Sequence, residues 1–149
     1  MQCESFGKYI SAIYRHQQIL INNKLKPYGI GSGQYIFLIN IHNHEGLSQK
    51  ELSKLLAIDK TTTAKAVRKL EDEGYIYREQ DKEDKRYYKL YLTEKGKSFI
   101  PTLRKFLRSN TDILSSGMSD KQQEQTLESL KLMLENMCKS VEDLRKKEE

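Results

Sequence analysis

The hydrophobic period of this chain changes at Gly74 and changes back at Thr93, and that pair of switches restricts what it can fold into. Before Gly74, apolar residues recur at helical spacing. After it, "YIYREQ" (75–80) and "RYYKLYL" (86–92) are rich in aromatic and β-favouring residues, with Tyr88, Leu90 and Leu92 on one face. The residues between them, "DKEDK", are all charged, which predicts a hairpin with an exposed tip. From Thr93 onward the helical spacing returns. The fold class is therefore mainly α with one small β-hairpin.

The helical segments have legible ends. Residues 5–26 place Phe6, Ile10, Ile13, Leu20 and Ile21 on one stripe, and Pro27, Tyr28 and Gly29 stop that helix. Residues 33–44 are apolar almost all round, so that helix should be buried on most sides. Gly46 breaks the chain, and "SQKE" (48–51) is a capping box in which Ser48 and Glu51 satisfy reciprocal backbone donors. The short helix it opens is expected to direct Leu52, Leu55 and Leu56 inward. Beyond the hairpin, Thr93 caps a long helix carrying Phe99, Ile100, Leu103, Phe106 and Leu107, bent at Pro101 and ended by Gly117. Ser119 and Gln122 form a second capping box. In the last helix Leu127, Leu130, Leu134, Met137, Val141 and Leu144 repeat at alternating steps of three and four, a heptad seam.

Composition removes several classes of function. The net charge of +5 and pI near 9.1 fit an anionic partner. No basic run is long enough for a histone-like tail. The most hydrophobic segment, "YIFLINI" (35–41), is far short of the roughly 18 to 20 residues that span a bilayer, and no signal-peptide order opens the chain. Cys3 and Cys138 sit near opposite ends without a CxxC pairing, which points away from a secreted disulfide framework and toward the cytoplasm. No Gly-rich phosphate loop, nucleophile elbow or HExxH is present, so an enzyme is not expected, and neither is a cofactor.

One segment raises a question of its own. "IDKTTTAKAVRKLEDEG" (58–74) opens a helix with three threonines, although threonine is a poor helix former. At about 100° per residue Thr63, Ala66, Val67 and Leu70 fall on one side, which must be the core. Lys60, Thr61, Thr62, Lys65, Arg68 and Lys69 are left for the exposed face. Small hydroxyls followed by cations suit a nucleic-acid groove: threonine reaches base edges or thymine methyls, and the cations neutralise phosphates. Asp59 is placed to cap the weak helix. A solvated surface helix explains the run equally simply if it is taken alone, but the capping box before it and the hairpin after it favour the groove.

The stretch "GLSQKELSKLLAIDKTTTAKAVRKLEDEGYIYREQDKEDKRYYKLYLTEKG" resembles the core of the MarR family of bacterial and archaeal transcriptional regulators. The resemblance implies a winged helix-turn-helix lobe over residues 33–92. Residues 1–32 and 93–149 would form a helical dimerisation region of the same intertwined domain. It implies a homodimer on a roughly palindromic double-stranded DNA operator, most simply a repressor. On the wing, Arg86 would enter the minor groove, with Asp84 holding it and Lys85 beside it. Ser48 and Gln49 would contact phosphate through side chains and backbone N–H groups. Asp81 and Glu83 depart from a basic wing tip and are read as solvated. Phe6, Ile10 and Ile13, together with Leu130, Leu134, Met137, Val141 and Leu144, would make the dimer.

The resemblance also implies a site for a small aromatic effector between the dimer helices and the DNA-binding lobe, where this chain offers Tyr9, Tyr14, Gln17 and Tyr35. Tyrosines at such spacing are more often core. A thiol-sensing branch of the family carries its cysteine at a position matching about Gly7 here, not Cys3, although Cys3 packing near Cys138 would keep redox sensing open. His42 and His44 are read as helix-end residues rather than metal ligands. The runner-up function is a winged-helix module that binds protein or RNA.

Overall fold

The computed structural model describes residues 4–148. The order is α1 (Phe6–Leu25), a 3-10 turn (Lys26–Tyr28), α2 (Ser32–Asn43), α3 (Gln49–Leu56), α4 (Lys60–Asp72), β1 (Ile76–Gln80), β2 (Tyr88–Leu92), α5 (Glu94–Leu114) and α6 (Asp120–Glu148). The chain divides into two compact units, residues 1–110 and 111–149.

The first unit contains the core. Phe37, Leu38 and Ile41 of α2 sit at its centre, with Leu52 of α3 and Val67 and Leu70 of α4 against them. Leu90 and Leu92 close it from the hairpin, and Phe99, Ile100 and Leu103 from the first half of α5. Ile21 and Leu25, at the end of α1, are the buried residues of that helix. Two segments expected to serve dimerisation thus also contribute to this core.

Local chemistry fixes the element ends. The α4 helix ends with Gly74 in the left-handed region at φ 78°, where Tyr75 N–H donates to the Leu70 carbonyl and Gly74 N–H to that of Glu71. This is a Schellman stop, and it turns the chain directly into β1. Thr93 does two jobs at the far end of the hairpin. Its hydroxyl donates to the Gly74 carbonyl at 2.6 Å and accepts from Gly96 N–H at 3.1 Å, tying the start of α5 to the end of α4. Helix α5 continues through Pro101.

Two expectations need correction. Leu55 points outward and is half exposed, because Leu52, Ser53 and Leu56 define the inward sector of α3 and Leu55 falls outside it. The second strand starts at Tyr88 rather than residue 86, since the backbone of Asp81, Asp84 and Tyr87 closes the tip on itself first. Tyr88 shares the face of Leu90 but lies beyond the edge of the core and is 46% exposed. A short bridge was not foreseen: Ser48 pairs with Lys89, and Gly46 N–H donates to Leu90 while Leu90 N–H donates to Leu47. Two or three residues of extended chain carry no period to read.

In the second unit, the Ser119–Gln122 capping box forms as expected, at 2.8 and 3.2 Å. The α6 helix that follows buries none of its residues.

Candidate nucleic-acid interface

Helix α4 presents a sorted surface. Thr63, Ala66, Val67 and Leu70 are buried, while Lys60, Thr61, Thr62, Lys65, Arg68 and Lys69 are exposed. The threonine run resolves into three roles. Thr63 is fully buried and its hydroxyl donates to the Asp59 carbonyl at 2.9 Å, so a polar side chain enters the core with its donor satisfied. Thr62 faces outward, but its N–H and its hydroxyl both donate to the Asp59 carboxylate, at 2.8 and 2.6 Å. It therefore extends the cap, leaving a methyl and an oxygen lone pair for a partner. Thr61 is the outward threonine whose hydroxyl has no hydrogen-bond partner among the described residues. Lys69 pairs with Glu73 at 3.1 Å, whereas Lys60, Lys65, Arg68 and Lys85 form no ion pair among the described residues.

The wing tip is held from within. Asp81 accepts from the backbone N–H groups of Glu83 and Asp84 and pairs with Lys89 at 3.5 Å. The reading of Asp81 as merely solvated is thus wrong, since it shapes the loop. Asp84 grips Arg86 in a fork, with Nε and a terminal nitrogen at 3.0 and 2.8 Å, and also accepts from its backbone N–H. The Arg86 side chain is 83% exposed, so the fork aims a cation into solvent rather than burying it. Lys85 is exposed beside it, and its carbonyl accepts from Gln80.

These contacts shift titrations. The Asp59 carboxyl is held below the usual range by the Thr62 hydroxyl and N–H, that of Asp81 by the N–H groups of Glu83 and Asp84, and that of Asp84 by the Arg86 guanidinium. A carboxylate with a lowered folded pKa adds stability above its unfolded value, about 3.9, and loses it as pH falls through the lower folded value. The wing tip and the first turn of α4 should therefore keep their order from neutral pH to about pH 5 and loosen only below about pH 4. Amide NMR signals of residues 60–63 and 81–86 would show this. Loosening between pH 7 and 5 would contradict it.

The start of α3 corrects a further detail. Ser48 N–H donates to Glu51 at 2.8 Å and is spent on the capping box, so it is not free for phosphate. Gln49 and Lys50, in the first turn, retain N–H groups without helical partners. Sequence reasoning missed Lys50 and Arg78. Both line a concavity of about 190 Å³ between α3 and the hairpin, together with Ser48, Gln49, Arg86 and Tyr88. Arg78 is one of two charges in "YIYREQ", and only the strand register assigns it to the face shared with Leu90.

The proposed effector residues are placed as follows. Tyr14 is exposed, Gln17 and Tyr35 are half-buried, and the Tyr9 hydroxyl donates to Glu4 at 3.2 Å. Burial raises the Tyr35 phenol, and the neighbouring Tyr14 adds to the effect. Cys138 is an exposed free thiol, and Cys3 lies outside the described residues. His44 caps the end of α2, with Nδ1 3.2 Å from the Asn40 carbonyl. No helix among the described residues is long and apolar enough to cross a membrane.

A helix whose outer face carries hydroxyls and cations, followed by a hairpin that presents a fixed arginine, defines a DNA-binding regulator of the winged helix-turn-helix class. The MarR family model matches residues 30–88, from just before α2 to the first residue of β2. Over 133 residues the chain is 32% identical to the uncharacterized HTH-type transcriptional regulator YybA of Bacillus subtilis (strain 168), covering 89% of this chain and 86% of that protein. A crystal structure of a MarR transcriptional regulator from Methanosarcina mazei Go1 matches with a TM-score of 0.86 at 47% identity, over 89% of this chain and 96% of that one. A MarR family transcriptional regulator from Listeria monocytogenes, complexed with a 26mer DNA, matches with a TM-score of 0.84 at 27% identity, over 93% and 92%. The chain belongs to the MarR family of DNA-binding transcriptional regulators.

Proposed function

We propose that the protein is a homodimeric, sequence-specific repressor that binds a palindromic DNA operator and is released by a small aromatic ligand. The observation that carries this reading is the pairing of the exposed α4 face with the outward Arg86, a reader for one half-site. Thr61, Thr62, Lys65 and Arg68 would lie in the major groove, and Arg86 in the adjacent minor groove, whose concentrated negative potential attracts it. Two such readers about one helical turn apart require a two-fold protein. The Listeria relative solved with DNA supports the same use of the fold.

The dimer reading draws on exposed apolar side chains. All six seam residues of α6 are exposed, from Val141 at 36% to Leu134 at 64%, and on α1 Phe6, Ile10 and Ile13 are exposed as well. A 29-residue helix with no buried residue gains no core burial from its own chain, so a second copy is the natural cover. Leu134→Glu combined with Met137→Glu should convert the dimer to monomer in sedimentation. Operator affinity should then drop at least roughly a hundredfold, because the half-sites no longer share an effective concentration. A wild-type chain that sediments as a clean monomer at micromolar concentration would defeat the reading. For the effector, the exposed Tyr14 and the half-buried Gln17 and Tyr35 offer the aromatic faces and the amide that an aromatic acid would take.

A further inference from the structure

A DNA strand that separates a major groove from the neighbouring minor groove has to pass between the helix reading the first and the wing reading the second. In this chain the start of α3, which precedes the reading helix α4, and the hairpin bound a concavity lined by Ser48, Gln49, Lys50, Arg78, Arg86 and Tyr88. We infer that this concavity seats the sugar–phosphate strand, with Arg78 as its anchor, Lys50 across from it and Glu71 as a positioning residue for Arg78. The inference rests on the DNA-reading geometry proposed above and adds three residues to it.

The lining carries three cations and no carboxylate, which selects an anion. Arg78 is presented in a fixed attitude: its Nε donates to Glu71 of α4 at 2.9 Å. One of its five N–H groups is thereby spent, and the four on the terminal nitrogens remain for an acceptor in the plane of the guanidinium. A phosphate diester offers two such oxygens, the geometry an arginine fork matches. The N–H groups of Gln49 and Lys50 in the first turn of α3 add donors from the opposite wall. The Arg78 and Glu71 side chains are each about one-third exposed, so the pair is anchored against the protein yet open to a ligand. Contacts of this kind fix register and carry no sequence preference.

The test uses the full-length protein and a mixed-sequence 26-base-pair duplex, with binding read by fluorescence anisotropy across a potassium chloride series. Arg78→Ala should lower the slope of log affinity against log salt by about 0.9 per bound subunit, and affinity should fall by a similar factor on every duplex sequence. Glu71→Ala frees the fork and should reproduce that loss. Glu71→Gln keeps an oxygen for Nε–H and should retain the wild-type slope. Thermal unfolding of each variant confirms the fold, and Arg78→Gln substitutes if Arg78→Ala does not fold. A wild-type slope in folded Arg78→Ala or in Glu71→Ala overturns the inference. If Arg86→Ala weakens binding while Arg78→Ala is silent, the seat for the backbone fails alone. If the wild-type protein shows no salt-dependent binding, the DNA-reading geometry fails with it.

Discussion

Replacing Arg86 with alanine should weaken operator binding roughly tenfold or more while leaving fold and oligomeric state unchanged. The expectation follows from where the side chain is and from what holds it. It is 83% exposed and contributes nothing to the core, so its loss should not unfold the hairpin. The loop keeps its main internal ties, because Asp81 still accepts from Glu83 and Asp84, and Asp84 still accepts from the backbone N–H at position 86. What changes is the charge offered to DNA. A forked cation disappears, and the carboxylate that gripped it remains at the tip, where it repels the phosphates. Arg86→Lys should rescue only part of the loss, since an ammonium cannot occupy both oxygens of Asp84 in the same fixed attitude. Anisotropy on the operator and sedimentation of the same sample check both halves. Unchanged affinity would refute the wing assignment.

The second large effect concerns stability. Gly96→Ala should destabilise the protein by roughly 1–3 kcal/mol, lowering the melting temperature by roughly 3–10 °C. An added Cβ would sit 2.1 Å from the Tyr75 carbonyl oxygen and 3.2 Å from Leu92 Cγ. The first neighbour is backbone and cannot turn aside. That carbonyl also accepts from Thr93 N–H at 3.0 Å, so moving it disturbs the joint between hairpin and α5. Alanine is intrinsically the better helix residue by about 1 kcal/mol, which makes the sign diagnostic. A net loss can come only from the close approach, and a calorimetric gain would show that α5 does not pack against Tyr75 as described.

Several of these features were legible in the sequence because they obey a period or a cap. The burial of Thr63, Ala66, Val67 and Leu70 follows from helical spacing alone. The capping boxes at Ser48 and Ser119 follow from residue type at fixed offsets. The hairpin announced itself through the change of period after Gly74. What stayed hidden depends on neighbours that are distant in sequence or on hydrogen-bond partners that pattern does not fix. Leu55 and Leu56 look alike as residues, and only the packing of α3 beside α4 decides that one faces out. Asp81 reads as one more charge in a charged loop until two backbone N–H groups turn toward it. Thr62 reads as a groove contact alone until its hydroxyl is found on Asp59, where it also extends the cap. Arg78 joins the face of Leu90 only through the strand register, and it lines the concavity with Ser48, Gln49 and Lys50 only in the folded chain. Gly96 is only the last residue of the stretch that resembles the MarR family until the Tyr75 carbonyl, 2.1 Å from where a Cβ would sit, supplies a physical reason for it.

Binding preference at physiological salt tests the central reading most directly. A footprint on the DNA upstream of the protein's own gene should show a two-fold symmetric protected site, its halves about one helical turn apart. The protein should prefer that site to random duplex by at least roughly a thousandfold. Equal affinity for operator and random DNA, or protection without two-fold symmetry, would contradict a homodimeric operator-binding regulator.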